Sequence, residues 1–520
     1  MYRLGIDVGG TNTDAVLLNE NLELVASVKR PTSADIQTGI TQSIAALLTD
    51  ANVNPNHITH AMLGTTQCTN AIVECSRLAR VCIIRLGYPA TAAIQPFTAW
   101  PQGLVDAIKT EVILVEGGYE YDGKVLTEFN EEKMRLLIKG LKGKIEAIAI
   151  IGVFSSIKDD QELKVEQIVR EELGDSISIS LSSQISSGGF IERENATILN
   201  SALANVISLC IDGFQSALRD QGVQAEKLYL CQNDGTLMSL TYAKKFPILT
   251  IACGVTNSIR GAAYLENCQN ALVLDVGGTT ADVGVLAGGS PRESSMAVEV
   301  GGIVTNFRMP DVVSIGLGGG SIVREVNGKI TIGPDSVGYR ILQDALVFGG
   351  NTLTTTDIAV RLGMADIGDA TKVAHIDRAF AQQTMDIISE KIAETIDKMK
   401  LSSDDVEVIV VGGGAVIVPT KIMGVSRLLR PAQSAVANAI GASIAQVSGV
   451  YEKLYLLDEI SREEAIHDAT LLAKQRAILA GSQKENLQVM EIDETPLAYH
   501  PGNTIRLRVK VIGDLLPLSP

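Results

Sequence analysis

The stretch DVGGTNTD at residues 7–14 returns as DVGGTTAD at residues 275–282, with six of the eight positions identical. Apolar runs flank each copy, 4–8 and 15–18 around the first and 271–274 and 283–286 around the second. Because such runs are typical of buried strands, we predict that each copy is the turn of a strand–turn–strand unit. An identity of this length arises by chance in roughly one such chain in four, so the shared strand context carries more weight. A repeated unit of this kind predicts two duplicated lobes.

Paired glycines give both turns the chemistry of a phosphate-binding loop. They let a hairpin turn tightly and bring bare backbone N–H groups against phosphate oxygens, and the threonine hydroxyls add donors. We therefore predict that the two turns face each other across a cleft and bind the phosphates of one nucleotide from both sides. Two ordinary Asp-Gly turns are the alternative. The predicted phosphate-binding residues are Gly9, Gly10, Thr11, Asn12, Gly277, Gly278, Thr279 and Thr280.

Aspartates begin and end both motifs. A carboxylate beside a phosphate needs a bridging cation, and Mg²⁺ takes oxygen ligands while keeping several of its waters. We therefore predict that Asp7 and Asp275 hold Mg²⁺ through water. Asp14 and Asp282 complete the predicted catalytic set, as residues that orient the nucleophile or the hairpin itself.

A third glycine-rich element, EVIVVGGG at residues 407–414, ends a continuous apolar strand pattern. Glycines at this point allow the flat face of a nucleoside to pass close to the backbone. Another glycine-dense stretch, at 316–321, is predicted to approach the phosphates, with a plain glycine turn as the alternative. The predicted cofactor contacts in the two stretches are Gly412, Gly413 and Gly414, and Gly318 and Gly319.

The order hairpin, hairpin, strand–Gly-Gly-Gly resembles the phosphate-1, phosphate-2 and adenosine motifs of the actin/sugar-kinase/Hsp70 superfamily. This resemblance implies an α/β protein with a duplicated actin-like, ribonuclease H-like two-lobe ATPase fold and a nucleotide cleft between the lobes. It also implies ATP and Mg²⁺ as cofactors.

Within that superfamily, the chain resembles the hydantoinase A/oxoprolinase family over nearly its whole length. Besides the two hairpins, the resemblance rests on GTTQCTNA at 64–71, RENAT at 193–197, QNDG at 232–235, DVVSIGLGGGS at 311–321, GPDS at 333–336 and TTD at 355–357. It implies an ATP-using subunit that opens cyclic amides, such as hydantoins, 5-oxoproline or lactams, together with a hydantoinase B-type subunit.

Three departures from the family pattern indicate a shorter, divergent branch. Leu63 stands where longer members usually have a histidine, and 339–350 lacks the cysteine that they commonly carry. The usual Pro-Ala-Gly-Gly is replaced by GVTN at 254–257. The identity of the substrate therefore does not follow from the family.

The remaining motif residues offer hydroxyl, amide and carboxylate groups suited to a substrate carbonyl or carboxylate. For each of them, a helix cap or a turn is an equally reasonable role. The predicted substrate contacts are Gly64, Thr65, Thr66, Asn70, Glu194, Asn195 and Asp234.

Hydrophobic periodicity divides the chain into an N-terminal lobe at 1–190, a second lobe at 191–450 and a C-terminal appendage of helix and strands at 451–520. Continuous apolar runs predict central strands at 80–86, 145–154 and 406–411. The predicted helices include 36–48, 131–141, 160–173, 379–399, 434–447 and 462–482, and a single long helix at 192–218 that connects the lobes.

Composition narrows the class of protein. A net charge of −16 and only 4% aromatic residues disfavour nucleic-acid binding. No apolar run approaches the roughly 20 residues of a membrane span, and the chain opens on a strand pattern. We therefore expect a cytoplasmic protein that does not associate with a membrane. Seven cysteines without a C-x-x-C pair and five histidines predict no zinc site. Association into a homo-oligomer stays open.

Two other functions stay open beside ATP-dependent hydrolysis of a cyclic amide. One is a small-molecule kinase of the same superfamily, which would phosphorylate a hydroxyl or carboxylate and stop there. The other is an ATP-gated chaperone-like or reactivating factor.

Overall fold

The computed structural model describes residues 1–32, 36–225, 227–294, 298–497 and 503–515. The first part of the chain forms β1 (Tyr2–Val8), β2 (Asn12–Leu18), β3 (Leu24–Pro31), α1 (Ile36–Ala51), β4 (Ile58–Thr65) and α2 (Gln67–Val73). It is followed by β5 (Val81–Leu86), α3 (Gln102–Ile108), β6 (Lys109–Val115), α4 (Glu131–Lys139), β7 (Ala147–Gly152), α5 (Asp160–Leu173), β8 (Ser178–Leu181) and α6 (Ser182–Ile185).

The middle of the chain forms α7 (Phe190–Ala202), α8 (Ala204–Asp220), β9 (Lys227–Cys231), β10 (Leu237–Ser239), α9 (Leu240–Lys245) and α10 (Cys253–Glu266). Next come β11 (Ala271–Val276), β12 (Ala281–Ala287), β13 (Ser290–Pro291), β14 (Val298–Val300), β15 (Ile303–Thr305), β16 (Val312–Ile315), β17 (Ser321–Val326) and β18 (Lys329–Ser336).

The last third forms α11 (Ile341–Asp344), α12 (Thr355–Arg361), α13 (Arg378–Met399), β19 (Val406–Val411), β20 (Val425–Leu429), α14 (Ala437–Ile444), β21 (Val447–Leu456), α15 (Arg462–Leu479), β22 (Gln488–Pro496) and β23 (Thr504–Gly513). Short 3₁₀ helices lie at Pro55–His57, Pro247–Thr250, Gly338–Arg340, Leu346–Phe348, Ala370–Val373, Ala415–Ile417 and Ser434–Val436.

Two five-strand units share one topology. In the first, the order is β3-β2-β1-β4-β9, with antiparallel pairing among β1, β2 and β3 and parallel pairing of β4 with β1 and β9. In the second, the order is β16-β12-β11-β19-β20, with the same pattern of directions. The fold is therefore α/β and duplicated, as the repeated motif predicts, and each motif forms the first hairpin of its own sheet.

Each sheet is covered by helices that supply its core. Leu4 and Ile6 of β1 are fully buried against Ile40 of α1 and Phe214 of α8. In the second lobe, Leu274 packs in the same core as residues of α13. Apolar strands covered on both faces explain why the sequence shows continuous hydrophobic runs at these places.

Strand pairing departs from the predicted divisions at 190 and 450. The strand β9, placed by the sequence in the second lobe, pairs with β4 of the first. The C-terminal strands β21, β22 and β23 extend that same sheet to nine strands, so 451–520 is no separate appendage. Residues of β5–β8 form a parallel sheet of their own, in the order β6-β5-β7-β8. Pairings between strands so distant in sequence depend on tertiary packing, which local patterns do not record.

The predicted single helix at 192–218 is two helices, α7 and α8, which meet at an angle of 43°. The break falls at Leu203, between the two helices. Among the described residues, no helix alone has the length and apolar composition to cross a membrane, and only this bent pair reaches them jointly.

Helices α10 and α14 cross at very close range beneath the two hairpins. A Cβ on Gly261 would lie 1.8 Å from the Ala437 carbonyl oxygen, and one on Gly441 would lie 1.8 Å from that of Asn257. Only glycine permits this approach. Since α14 packs on β1, β2 and β4 and α10 packs on β11, β12 and β19, the helix pair joins the two lobes.

Candidate functional site

The two hairpin turns face each other. Each turn is closed by the same bond, from Gly9 N to the Asn12 oxygen at 3.0 Å and from Gly277 N to the Thr280 oxygen at 2.9 Å. A Cβ on Gly278 would lie 2.8 Å from the hydroxyl oxygen of Thr11, so the turns come within contact distance. The predicted cleft between residues 7–14 and 275–282 is therefore present.

Backbone donors are available at both turns. Among the described residues, no hydrogen-bond acceptor is found for the amide groups of Gly10, Thr11, Gly278 and Thr279. Polar backbone groups are seldom left without a partner unless water or a ligand supplies one. The arrangement fits an anion that both turns share.

Asp7 lies at the bottom of this cleft, at the end of β1. Asn438 donates to its Oδ2 at 2.8 Å, and Asn257 approaches its Oδ1 at 3.5 Å. Burial raises the pKa of Asp7 to about 7, and the negative charges of Asp14 and Asp275 add to the effect. An ionised Asp7 is therefore costly unless a cation comes close.

Asp275 occupies the corresponding place at the end of β11. Ser258 donates to its Oδ2 at 2.5 Å, and burial raises its pKa. Each of these two aspartates packs against a glycine: Asp7 against Gly64 in the parallel strand β4, and Asp275 against Gly412 directly after the parallel strand β19. A Cβ on Gly64 would lie 2.3 Å from Oδ1 of Asp7, and one on Gly412 would lie 2.3 Å from Oδ1 of Asp275.

Lys29 of β3 connects the lobes at the centre of the cleft. Its Nζ donates to both carboxylate oxygens of Asp14 at 2.7 Å and to the carbonyl oxygen of Ala435 at 2.9 Å. A Cβ on Gly413 would lie 3.0 Å from the Lys29 Cε. Burial raises the pKa of Asp14 even though the lysine charge opposes the shift. The sequence reading missed this residue, and its position opposite Asp14 in the strand meander was the available signal.

The charges of the cleft favour a cation. Asp7 and Asp14 are buried and Asp275 is partly buried, and Lys29 forms its ion pair with Asp14 alone among these three aspartates. Carboxylate oxygens are ligands that Mg²⁺ prefers. Within the described ranges, no three His, Cys, Asp or Glu side chains converge to bind a metal ion. A Mg²⁺ held here would take most of its ligands from phosphate and water.

Asp282 pairs across the hairpin with Asp275, as Asp14 pairs with Asp7. It accepts a short hydrogen bond from the Ser314 hydroxyl. Burial raises the pKa of Asp282 to about 7, and the Asp275 charge adds to the shift.

The glycine stretch at 316–321 supports the second hairpin from behind. Gly319 N donates to the Gly277 oxygen at 3.0 Å, and Gly320 N donates to the Gly278 oxygen at 2.7 Å. A Cβ on Gly318 would lie 2.6 Å from Thr279 N. The amide of Gly414 donates in the same way to the Val276 oxygen at 2.7 Å. The amides of Gly319, Gly320 and Gly414 thus donate to the protein backbone. They are therefore not free to donate to a nucleotide, although Gly319 and Gly414 were predicted to contact one.

The GTT stretch continues from β4 into the cleft. Thr66 N donates to the Val8 oxygen at 3.3 Å, and Asn70 Nδ2 donates to the Thr66 hydroxyl at 3.4 Å. The Thr65 hydroxyl accepts from Gln67 N at 3.2 Å. Gly64, Thr65, Thr66 and Asn70 are therefore grouped beside the first hairpin.

Glu194 and Asn195 contact other parts of the molecule. Arg85 forms a buried two-point ion pair with Glu194, with N–O distances of 2.7 and 2.6 Å. Trp100 Nε1 donates to the Asn195 oxygen at 2.9 Å. These partners occupy both side chains, so their present contacts favour the structural alternative.

Asp234 lies in a separate charged cavity. It accepts from Lys510 Nζ at 2.8 Å, from the Thr236 hydroxyl at 2.5 Å and from the Ser448 hydroxyl at 3.1 Å. Although burial acts in the opposite direction, the Lys510 charge holds the pKa of Asp234 below its ordinary value. The structure does not bring Asp234 into contact with the hairpins.

Helix α10 and the start of α14 supply three contacts that the sequence reading did not predict. Asn257, Ser258 and Asn438 each bond an aspartate of the cleft. Asn257 is the last residue of the GVTN departure at 254–257 and Ser258 follows it directly, so this departure was the signal available in the sequence.

The two sheets of matching topology, each with one of the paired hairpins, define a duplicated two-lobe fold of the actin-like kind. The hydantoinase/oxoprolinase N-terminal region matches residues 3–173, and the hydantoinase/oxoprolinase domain matches residues 193–367. The chain belongs to the hydantoinase/oxoprolinase family.

Curated relatives align over much of this chain at low identity. An uncharacterized protein of Methanocaldococcus jannaschii is 23% identical over 100% of the chain and 83% of its own length. Caprolactamase subunit alpha of Pseudomonas jessenii is 24% identical over 76% of the chain, and acetone carboxylase beta subunit of Xanthobacter autotrophicus is 25% identical over 77%. The alignment spans 59% of each of these two subunits.

Two solved structures share the whole fold. The ATP-dependent caprolactamase from Pseudomonas jessenii superimposes with a TM-score of 0.77 at 17% identity, covering 100% of this chain and 89% of that one. The nucleotide-free acetone carboxylase gives a TM-score of 0.70 at 18% identity, with the same coverage.

Proposed function

We propose that this chain is the ATP-using subunit of an enzyme that hydrolyses a cyclic amide by phosphorylating its carbonyl oxygen. The observation that carries the proposal is the pair of facing turns with unoccupied amide donors above the buried aspartates. Membership of the hydantoinase/oxoprolinase family and the likeness to an ATP-dependent caprolactamase support the choice of reaction.

In this proposal, the amide groups of Gly10, Thr11, Gly278 and Thr279 bind the β- and γ-phosphates. Backbone donors fixed by two sheets are already oriented, so charge developing during transfer is stabilised without reorganisation. A Mg²⁺ ion, held through water by Asp7 and Asp275, would neutralise phosphate charge. Its fit rests on the surplus of buried carboxylates described above.

The amide substrate is proposed to lie beside Thr65, Thr66 and Asn70, next to the first hairpin. The role of these residues is to orient the carbonyl oxygen in line with the γ-phosphorus, since positioning accounts for most of phosphoryl-transfer catalysis. Glu194, Asn195 and Asp234 are assigned no contact with the reacting atoms in this proposal.

The chemistry balances with two waters. The carbonyl oxygen attacks the γ-phosphorus, a new O–P bond forms, and the bond from that phosphorus to the bridging oxygen breaks to release ADP. Water then adds to the activated carbon, and the C–N bond breaks as the nitrogen takes a proton. A second water releases phosphate, leaving a free amine and a carboxylate.

A second subunit is proposed for the hydrolytic steps. Two of the relatives are themselves subunits, alpha of caprolactamase and beta of acetone carboxylase. A hydantoinase B-type partner, as the family resemblance implies, would supply the groups that activate water.

The test is ADP release by the purified chain, with and without the hydantoinase B-type subunit of the same organism, across lactams, hydantoins and 5-oxoproline. We expect one cyclic amide to stimulate ADP release at least tenfold and to yield its ring-opened product by mass spectrometry. ADP release that is the same with every amide would contradict the proposal. A stable phosphorylated product would instead identify a kinase, and stimulation by a protein alone would identify an ATP-gated factor.

ATP-dependent carboxylation of a ketone is a second candidate, favoured by the likeness to acetone carboxylase. A ketone also presents a carbonyl group next to the transferred phosphate. The same assay separates the two, because carboxylation requires bicarbonate and forms a C–C bond, whereas amide hydrolysis requires neither.

A further inference from the structure

Arg260 projects from α10 away from the aspartates of the cleft. It follows Asn257 and Ser258, which bond Asp7 and Asp275. On its other side, Arg260 packs against a tight turn, where a Cβ on Gly235 would lie 2.9 Å from the arginine Cδ. One helix therefore contacts both the nucleotide cleft and the surroundings of Arg260.

The guanidinium of Arg260 lacks a partner within the part of the chain that the structure describes. Its Nε is shielded from solvent and makes no hydrogen bond. Burial lowers its pKa, with only a partial opposing effect from the Asp234 charge. Leaving a shielded donor of a charged group without a partner is costly, and a bound anion would supply that partner.

The neighbouring carboxylates are already paired with other cations. Lys510 Nζ lies 2.8 Å from both Asp234 and Glu293, and Arg508 lies 2.7 Å from Glu293. Two further ion pairs lie nearby, between Arg292 and Asp311 and between Arg308 and Asp493. Arg260 is thus the cation of this group that has no bonded anion among the described residues.

Arg260 lines a cavity of about 410 Å³ between the turn at 287–291 and the C-terminal strands. Four cations and three carboxylates line it: Arg260, Arg292, Arg308 and Lys510, and Asp234, Glu293 and Glu491. A second cavity shares Asp234, Glu293 and Arg308 with it. This volume falls within the range of small-molecule sites.

We propose that this cavity binds a small anionic metabolite whose carboxylate or phosphate group pairs with Arg260. The site is distinct from the hairpins, and no step of the proposed reaction requires it. Helix α10 links this site to the nucleotide, if the nucleotide binds in the cleft as in the proposed function. If the anion shifts this helix, it changes ATP affinity, and ATP changes anion affinity by the same factor.

The test begins without ATP. Calorimetric titration of the full chain with inorganic phosphate and, separately, with succinate shows which anion binds. We expect one of them to bind wild type and Arg219→Gln, an exposed control arginine, alike. Arg260→Gln should weaken binding at least tenfold, while Arg260→Lys should retain part of it. Thermal unfolding without anion should show Arg260→Gln at least as stable as wild type, because a partly buried charge without a partner is removed.

Two results would overturn the site: no binding of either anion to wild type, or equal affinity in Arg260→Gln. Because these titrations contain no nucleotide, they stand apart from the proposed reaction. A chain that binds the anion through Arg260 yet consumes no ATP with any amide refutes the function and supports the site. Repeating the titration with Mg·ATP present tests the link alone.

Discussion

At the scale of single residues, the stability of the cleft depends on which groups offset the negative charges of its carboxylates. Lys29 contacts Asp14 from the same lobe and the Ala435 carbonyl near the glycines of the other. Asp7 and Asp275 rely on neutral donors, so they stay under-compensated without a cation. A motif search finds the aspartates but gives no information on their partners.

Replacing Lys29 tests this compensation. In Lys29→Met, Asp14 loses its cation while remaining buried, and we expect a loss of about 2–4 kcal/mol in the free energy of unfolding. In the double variant Asp14→Asn/Lys29→Met, no unpaired charge remains, so most of that loss should be recovered. Urea denaturation of wild type, both single variants and the double variant measures the effect. A double variant that is less stable than Lys29→Met would contradict the account.

Asp282 predicts a pH dependence of stability. Its pKa is about 7 in the folded protein and 3.8 as its ordinary value. Between these values the folded state keeps a proton that the unfolded state has lost, so this group lowers stability as pH rises. Asp282→Asn removes the effect.

Relative to Asp282→Asn, wild type should therefore lose about 4 kcal/mol between pH 4 and pH 8, with little further change above. Urea denaturation at each pH provides the measurement. Asp386→Asn, at an exposed position on α13, is the control and should follow wild type at every pH. A constant difference between wild type and Asp282→Asn would show that Asp282 does not titrate as proposed.

At the scale of elements, strands and glycines position the aspartates. Gly64 stands directly opposite Asp7 in the parallel pair of β1 and β4. A Cβ there would lie 2.3 Å from the Asp7 carboxylate and 2.6 Å from Asn257 Nδ2. Any side chain at this position must displace the aspartate or its partner.

We therefore expect Gly64→Ala to weaken Mg·ATP binding at least tenfold, with a folded protein by circular dichroism. Gly213→Ala is the matched control, because a Cβ at that position on α8 meets nothing closer than 3.8 Å. Calorimetry with a non-hydrolysable ATP analogue compares the two. If both variants bind the analogue like wild type, then Asp7 does not take part in nucleotide binding.

Hydrophobic periodicity and the glycine turns predicted several helices, strands and hairpins correctly. The helix at Asp160–Leu173 and the strand at Val406–Val411 have the predicted bounds, and both hairpins are present. The helix predicted at 192–218 is broken at Leu203. The sequence did not reveal this break, because the apolar pattern continues across the bend.

Contacts between distant elements could not be predicted in this way. Glu194 lies in a family motif, yet Arg85 and the interior packing of α7 determine its environment. The approach of Asn438 to Asp7 joins residues 431 positions apart. Such contacts depend on the assembled sheets and helices, not on neighbouring sequence.

At the scale of the whole molecule, a duplicated sheet places one aspartate-bearing hairpin in each lobe. The crossing of α10 and α14 joins the lobes, and Lys29 spans the cleft above it. In the proposed function, both halves bind the nucleotide, so changes in either half should weaken its binding.

The most direct test is calorimetric titration of the chain with Mg·ATP analogue, alongside Asp7→Asn and Asp275→Asn, one substitution in each lobe. The account predicts one nucleotide bound per wild-type chain, and a loss of at least tenfold in affinity in both variants when Mg²⁺ is present. With EDTA in place of Mg²⁺, the three proteins should differ far less. Wild-type affinity in either variant would contradict the claim that the two lobes bind one magnesium-linked triphosphate between them.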